Sequence, residues 1–410
     1  MSQVERCPDV TAITNWIVGQ GLLRASLETL MEGFCQRLVG IGLPLMRGYI
    51  SAQTLHPRIS GLGCAWRPSE GIRTDVYVHQ LGTSETFSRS PFKRIMDLGV
   101  DDLRLDLGND RVSEFPVCED LRQEGATDYL AQLTKFGRDG VVDGKTGLLS
   151  SWTTAEPGGF SDNEIALLRH MMPRLALAVQ TRLGQDVSIN LLDTYVGAEA
   201  GRRILDGEIR RGALDVISAV IFNADLRGFT AMSERAPRED VVEMLNQYFD
   251  CLVTPIVERG GNVLKFMGDG LLATFPFDGQ IAADLCQSAL DAAEEVLVRV
   301  AALRNERSAL GKPVMDLDIA LNLGDVYWGN VGSVERLDFT VVGPAVNETA
   351  RIEALCGQYD HNLLVSESFA KAATRSADRL VAIGRFALRG VRSNQTIYTL
   401  DNGSSVAGTG

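Results

Sequence analysis

Residues 214–340 read as strand, helix, hairpin, long helix and strands, and few folds accept that order. "LDVISAVIFNAD" is an apolar run of strand length. "PREDVVEMLNQYFDCLVTPIVERGG" has a helical period, with Pro237 near its first turn, acids just inside and Gly260-Gly261 to stop it. "LKFMGDGLLATF" sets two apolar runs about a Gly-Asp-Gly, the pattern of a tight hairpin. "QIAADLCQSALDAAEEVLVRVAALRNE" is a long helix, and "MDLDIALNLGDVYWGNVGS" reads as two strands. "DFTVVG" reads as a short strand and "PAVNETARIEALC" as a helix. The opening order β-α-β-β-α-β predicts a ferredoxin-like α/β (α+β) domain over residues 214–400.

Residues 1–185 read as a separate α+β unit. In residues 22–41, Leu23, Leu27, Leu30, Met31, Phe34 and Leu38 share one helical face. Strand-like runs follow at "LMRGYISAQTL", "SGLGCAW" and "TDVYVHQ", then a helix at "PFKRIMDLG" and strands at "DDLRLDLG" and "KTGLLSSWTT". A closing helix opens at "FSDNEIALLRHMMPRLALAVQTRL", with Ser161 or Asp162 as its cap and Glu164 in its first turn. Ile165, Leu168, Met172, Leu175 and Val179 recur at spacings of 3 and 4. That is either a seam between two chains or the core face of one helix. Pro173 is expected to kink or loosen the helix. Residues 186–213 read as a charged helical connector, and 401–410, "DNGSSVAGTG", as a disordered tail.

The formal net charge of -13, with no basic run, argues against nucleic acid and anionic membranes as partners. No apolar segment approaches the roughly 20 residues of a membrane span, and "MSQVERCPDV" lacks the pattern of a signal peptide. The seven cysteines form no CxxC pair, which fits a reduced, cytoplasmic chain with buried thiols.

Four places carry chemistry. In "IFNADLRGFT" an apolar strand ends at Asp225, and Gly228 allows a turn into a helical stretch beginning Phe229-Thr230. A carboxylate there suits Mg²⁺, and a helix start suits phosphate. Asp269 sits at the hairpin tip, where a turn wants Asp in any case. If the two strands are neighbours, both carboxylates emerge at one sheet edge, as a two-metal site requires. In "VNETAR", Asn347 and Arg351 share a helix face. Arg389, in the β-like run "FALRGV", offers a phosphate contact.

"FNADLRGFT", "GGNVLKFMGDGLLATF", "LNLGDVYWGNVGS", "TVVGPAVNETARIE" and "FALRGV" stand in the order and spacing of class III nucleotide cyclases, and residues 214–400 resemble that family's catalytic domain. The resemblance implies a homodimer with nucleotide bound between the subunits. It implies that Asp225, Asp269 and the Leu226 carbonyl hold two Mg²⁺ (or Mn²⁺) ions. Phe229 and Thr230 follow as substrate contacts. Lys265 and Thr340 resemble the residues that read adenine, Asn347 and Arg351 those that orient the ribose and stabilise the transition state, and Arg389 one that grips the terminal phosphates. One chain would supply the aspartates and the other the remaining groups, so Lys265 and Asp269 would serve opposite sites. The implied reaction is attack of the ribose 3′-OH of ATP on the α-phosphorus, releasing pyrophosphate. Guanylyl cyclases usually carry Glu in place of the lysine and Cys in place of Asp or Thr, so Lys265 with Thr340 favours ATP. Thr340 also resembles a subgroup that often responds to bicarbonate. A guanylyl cyclase and an inactive cyclase-like binding module are the alternatives. Residues 1–185 resemble a GAF-type sensor domain for an unknown small ligand. His56, His79 and Cys64 are candidate contacts there, with ordinary packing as the alternative.

Overall fold

A computed structural model describes residues 8–54, 59–78, 85–109, 114–136, 147–277, 281–391 and 393–401. Within them the chain divides into two units, 1–191 and 192–410. His56, His79, Cys7 and all but the first residue of the expected tail lie outside the described residues.

The first unit contains α1 (Pro8–Leu22), α2 (Leu27–Gly40), β1 (Arg47–Gln53), β2 (Ile59–Arg67), β3 (Gly71–Val78), α3 (Glu85–Ser88) and α4 (Pro91–Leu98). It continues with β4 (Asp102–Asp106), α5 (Pro116–Gln123), β5 (Asp128–Lys135), β6 (Gly147–Thr154) and α6 (Asp162–Val196), whose residues 192–196 fall in the second unit. The strands form one antiparallel sheet in the order β3-β2-β1-β6-β5-β4. Alternation along the strands builds a core on each face. Ile50, Leu130 and Trp152 join Leu30, Phe34, Leu168 and Leu175 on one. Tyr49, Tyr129 and Ala131 join Phe92, Ile95 and Leu121 on the other.

Four expectations for this unit change. Leu23 is 76% exposed, because Arg24 takes a positive φ of 53° and the helix restarts behind Ser26, whose hydroxyl caps Thr29 N. Helix α5 and strand β5 lay outside the expected elements. Ile165, Leu168, Met172, Leu175 and Val179 are all buried in this unit's own core, so the spacing is a core face and not a seam between chains. Helix α6 does not end at Pro173 and runs on to Val196, taking in residues 186–196 of the expected connector. It opens with a capping box: Ser161 N and Oγ donate to Glu164 Oε2 at 2.6 and 2.8 Å.

The second unit contains α7 (Ala198–Leu205), β7 (Leu214–Arg227), α8 (Phe229–Ser233), α9 (Arg238–Glu258), β8 (Asn262–Met267), β9 (Gly270–Pro276) and α10 (Ala282–Ala309). After these come β10 (Asp316–Gly332), β11 (Leu337–Val342), α11 (Pro344–Tyr359), β12 (Leu363–Val365), α12 (Glu367–Ala372), β13 (Leu380–Phe386) and β14 (Gln395–Leu400). The sheet order is β13-β14-β12-β10-β7-β9-β8, with β11 also on β10. Within it β10, β7, β9 and β8 are the four strands of a β-α-β-β-α-β unit.

Even-numbered residues of β7 and odd-numbered residues of β10 (Val220, Phe222, Leu317, Ile319) pack with α9 and α10. The opposite parity faces α7 and α11: Ile221, Val326 and Trp328 meet Ala200, and Ala320 meets Ile352 and Cys356. Two readings change here. The run at 316–332 is one continuous strand, not two. Arg389 lies in a turn beyond the end of β13, not in a β-run.

Among the described residues no helix is long and apolar enough to cross a membrane. Cys35, Cys64, Cys118, Cys251, Cys286 and Cys356 are free thiols.

Candidate functional site

Asp225 stands near the end of β7, on the face turned toward α11. Its neighbour strand β9 begins at Gly270, directly after Asp269, and pairs Leu271 with Ala224. The Gly-Asp-Gly has a specific use at each glycine. Gly268 has φ 70°, the left-handed conformation that closes the hairpin. Gly270 makes room for the acid: a Cβ there would stand 2.8 Å from Asp225 Oδ1 and 2.9 Å from the Ala224 carbonyl oxygen. The two carboxylates therefore meet at one sheet edge. Burial, and next the charge of Asp269, push the Asp225 carboxyl up to about 6, against the Leu226 N–H that donates to it. Asp318 adds to the push, and no positive group is among these influences.

Asp318 is the cross-strand partner of Asp225 on β10, a pairing that sets Cβ atoms about 4.5–5.5 Å apart. Its charge is taken up by Arg227, two residues beyond Asp225. Arg227 Nη2 and Nε donate to Asp318 Oδ1 at 2.5 and 3.1 Å. The same guanidinium donates to Asp360 Oδ1 at 3.2 Å and to the His361 carbonyl at 3.0 Å, just past the end of α11. These bonds hold the guanidinium well above its ordinary pKa. Arg227 thus ties the acid-bearing strand to the C-terminal end of α11. The helix is tied to β10 as well, by Asn322 Nδ2 donating to the Ala345 carbonyl at 3.1 Å and Cys356 Sγ to the Ile319 carbonyl at 3.5 Å. Glu353, on the same helix, is pushed up to about 7 by burial and then by Asp225, Asp318 and Asp269.

The other expected residues lie around this centre. Lys265 is half-buried on β8, opposite Leu272, and makes no ion pair with Asp269 among the described residues. Thr340, on β11 opposite Gly329, is 4% exposed, and its Oγ1 has no hydrogen-bond partner among the described residues. Asn347 and Arg351 are on α11, the first exposed and the second half-buried. Arg351 lies beside the turn that holds exposed Arg389, its Nη2 3.6 Å from a Cβ built on Gly390. Lys265, Arg351 and Arg389 have no carboxylate in salt-bridge range among the described residues. Leu226 is buried. Phe229 packs partly against the α9–α10 core, and Thr230 is exposed. In the other unit Cys64 is fully buried, and desolvation pushes its thiol up to about 12, which fits packing rather than contact with a ligand.

One chain thus brings Asp225, Asp269, Asp318 and Glu353 together, and separately Arg351 and the Arg389 turn. Arg227, Asp318 and Glu353 escaped sequence reasoning. Asp318 had a signal, an acid on the alternating apolar pattern of "DLDIALNL". Glu353 had only its place two residues after Arg351. Two neighbouring carboxylates without a cationic partner fit a divalent cation through oxygen ligands. Among the described residues no group of three His, Cys, Asp or Glu side chains is set to hold one ion. Further ligands must then be backbone, water or phosphate oxygens.

The profile of the adenylate and guanylate cyclase catalytic domain matches residues 215–402. An adenylate cyclase of Anabaena cylindrica is 37% identical over 169 residues, 39% of this chain and 32% of that one. The terminal-differentiation-specific adenylate cyclase of Dictyostelium discoideum is 28% identical over 189 residues, 45% of this chain and 9% of that one. The chain thus spans a third or less of the length of these curated relatives. Among solved structures, the guanylyl cyclase Cya2 is 31% identical, with a TM-score of 0.41, over 46% of this chain and 93% of that one. The adenylyl cyclase CyaB from P. aeruginosa is 25% identical, with a TM-score of 0.41, over 48% and 99%. Residues 215–402 are a catalytic domain of the adenylate and guanylate cyclase family.

Proposed function

We propose that the protein is an adenylyl cyclase that converts ATP to 3′,5′-cyclic AMP and pyrophosphate as a homodimer with two composite sites. The observation that carries this reading is the pair Asp225 and Asp269, adjacent and partly buried, with no positive group among the influences on Asp225. Asp225, Asp269 and the Leu226 carbonyl would hold the cations. When bound, Mg²⁺ or Mn²⁺ neutralises phosphate charge and favours ionisation of the 3′-hydroxyl.

The chain's own residues do the positioning. Lys265 and Thr340 read the adenine, and the unpartnered Thr340 Oγ1 supports that role, since a buried hydroxyl without a hydrogen bond wants one. Asn347 orients the ribose. Arg351 stabilises the charge that grows at the α-phosphate as the 3′-oxygen bonds to phosphorus and the bond to pyrophosphate breaks. Arg389 grips the terminal phosphates. These residues come from one chain and the aspartates from its twin. Lys265, Arg351 and Arg389 are all absent from the groups that act on Asp225 within the chain, which supports that division.

The first unit serves in this reading as a GAF-like sensor, linked to the second through α6, in a cytoplasmic protein whose free thiols suit a reducing compartment. Residues 1–185, 186–213 and 214–400 are then sensor, connector and catalytic domain.

Purified protein with Mg-ATP or Mg-GTP, scored for cyclic product, tests the activity. ATP turnover that falls at least ~100-fold in Asp225→Ala is expected. Lys265→Glu should move preference toward GTP. Preference for GTP in the wild type would overturn the choice of nucleotide, and absence of both cyclic products would overturn the activity.

A further inference from the structure

Glu353 is half-buried within α11, and among the described residues its side chain makes neither a hydrogen bond nor an ion pair. Its surroundings are fixed by geometry. It lies one turn before Gly357 on the same side of α11. A Cβ built on Gly357 would stand 3.6 Å from both Arg227 Nε and Asp318 Oδ2, so this side of the helix rests on the Arg227–Asp318 pair. Asp318 in turn is the cross-strand partner of Asp225. Arg227 spends its donors on Asp318, Asp360 and the His361 carbonyl. The charges of Asp225, Asp318 and Asp269 all reach Glu353, and no cation is among its influences.

A partly buried acid held by a clamped helix over other acids is an uncompensated charge, and a nearby cation would relieve it. We propose that Glu353 is a positioning residue for the cation site of its own chain, acting on the ion at Asp225 and Asp269 through the ion's hydration water. The proposal rests on the reading that this pair binds a divalent cation. Direct ligation is disfavoured, since no three-acid group in the described residues is set to hold one ion. The consequence is specific to α11. Asn347 and Arg351, assigned above to the partner's nucleotide, share a helix with the group that steadies this chain's own cation.

The test is equilibrium binding of Mn²⁺ to the full-length protein, followed by electron paramagnetic resonance of the free ion. Asp225→Asn should lose binding. Glu353→Gln should weaken it about tenfold, as loss of an outer-shell partner does, and Glu353→Asp should fall between. Without Mn²⁺, Glu353→Gln should unfold no lower than the wild type, because the substitution removes an acid from the field of three others. Unchanged Mn²⁺ affinity in Glu353→Gln, with binding lost in Asp225→Asn, overturns the proposal alone. A lowered unfolding temperature of metal-free Glu353→Gln also overturns it, in favour of a structural role. Failure of the wild type to bind, or wild-type binding by Asp225→Asn, overturns the cation reading beneath it.

Discussion

Gly270 is where the backbone yields to the chemistry. Its missing Cβ leaves the space that Asp225 Oδ1 fills. Gly270→Ala should therefore push the carboxylate aside and cut cyclase turnover at least ~10-fold, since small misplacements in a site are costly. Steady-state kinetics check this, and unaltered turnover would contradict it. Asp225 carries a linked prediction. Its folded carboxyl, at about 6, lies above the ordinary carboxylate range. Stability from its protonated form is then complete below about pH 4 and lost as pH rises through about 6. In chelator at pH 7, Asp225→Asn should be more stable than the wild type by about 1–2 kcal/mol, with allowance for partial exposure. The difference should vanish at pH 4, as denaturant titrations at the two pH values would show. At this scale the sequence spoke unevenly. Asp225 and Asp269 announced themselves through a strand end and a turn. Glu353 did not, because nothing local says which side of a helix will rest on a buried ion pair.

Helix α6 shows how far periodicity reaches at the scale of the element. Its 3-and-4 spacing was legible, but one chain's core and a two-chain seam use the same stripe. Only the opposing residues decide: Leu30, Phe34 and Trp152 of the same chain occupy that side. Leu175→Ala should destabilise the first unit by about 2–5 kcal/mol, as core truncations do, and leave the oligomeric state intact. Calorimetry with light scattering checks both, and dissociation without loss of stability would contradict the assignment. The same ambiguity explains β10. The glycine-containing run "MDLDIALNLGDVYWGNVGS" reads as two strands, yet the ladder to β7 continues from Asp316 to Gly329 without a break. Helix α5 was missed for a different reason: it starts behind Phe115 with no side-chain cap, whereas the equally short α4 announces itself with Ser90.

At the scale of the whole molecule, the arrangement of the second unit follows from order along the chain. A strand, a crossover helix and a hairpin leave β7 and β9 side by side, so Asp225 and Asp269 converge although 44 residues separate them (269 − 225 = 44). That convergence was stated conditionally from sequence, because pairing depends on topology and not on either strand's composition. Lys265, Thr340, Asn347, Arg351 and Arg389 acquire their proposed roles only when a second copy is present. The most direct measurement of this division uses two defective variants, Asp225→Asn and Arg351→Ala, assayed alone and after co-expression. Each alone should be inactive. Co-expressed in equal amounts they should recover about a quarter of wild-type activity, since half the dimers are mixed and each mixed dimer keeps one intact site of two. Mixtures as inactive as their parents would contradict composite sites shared between two chains.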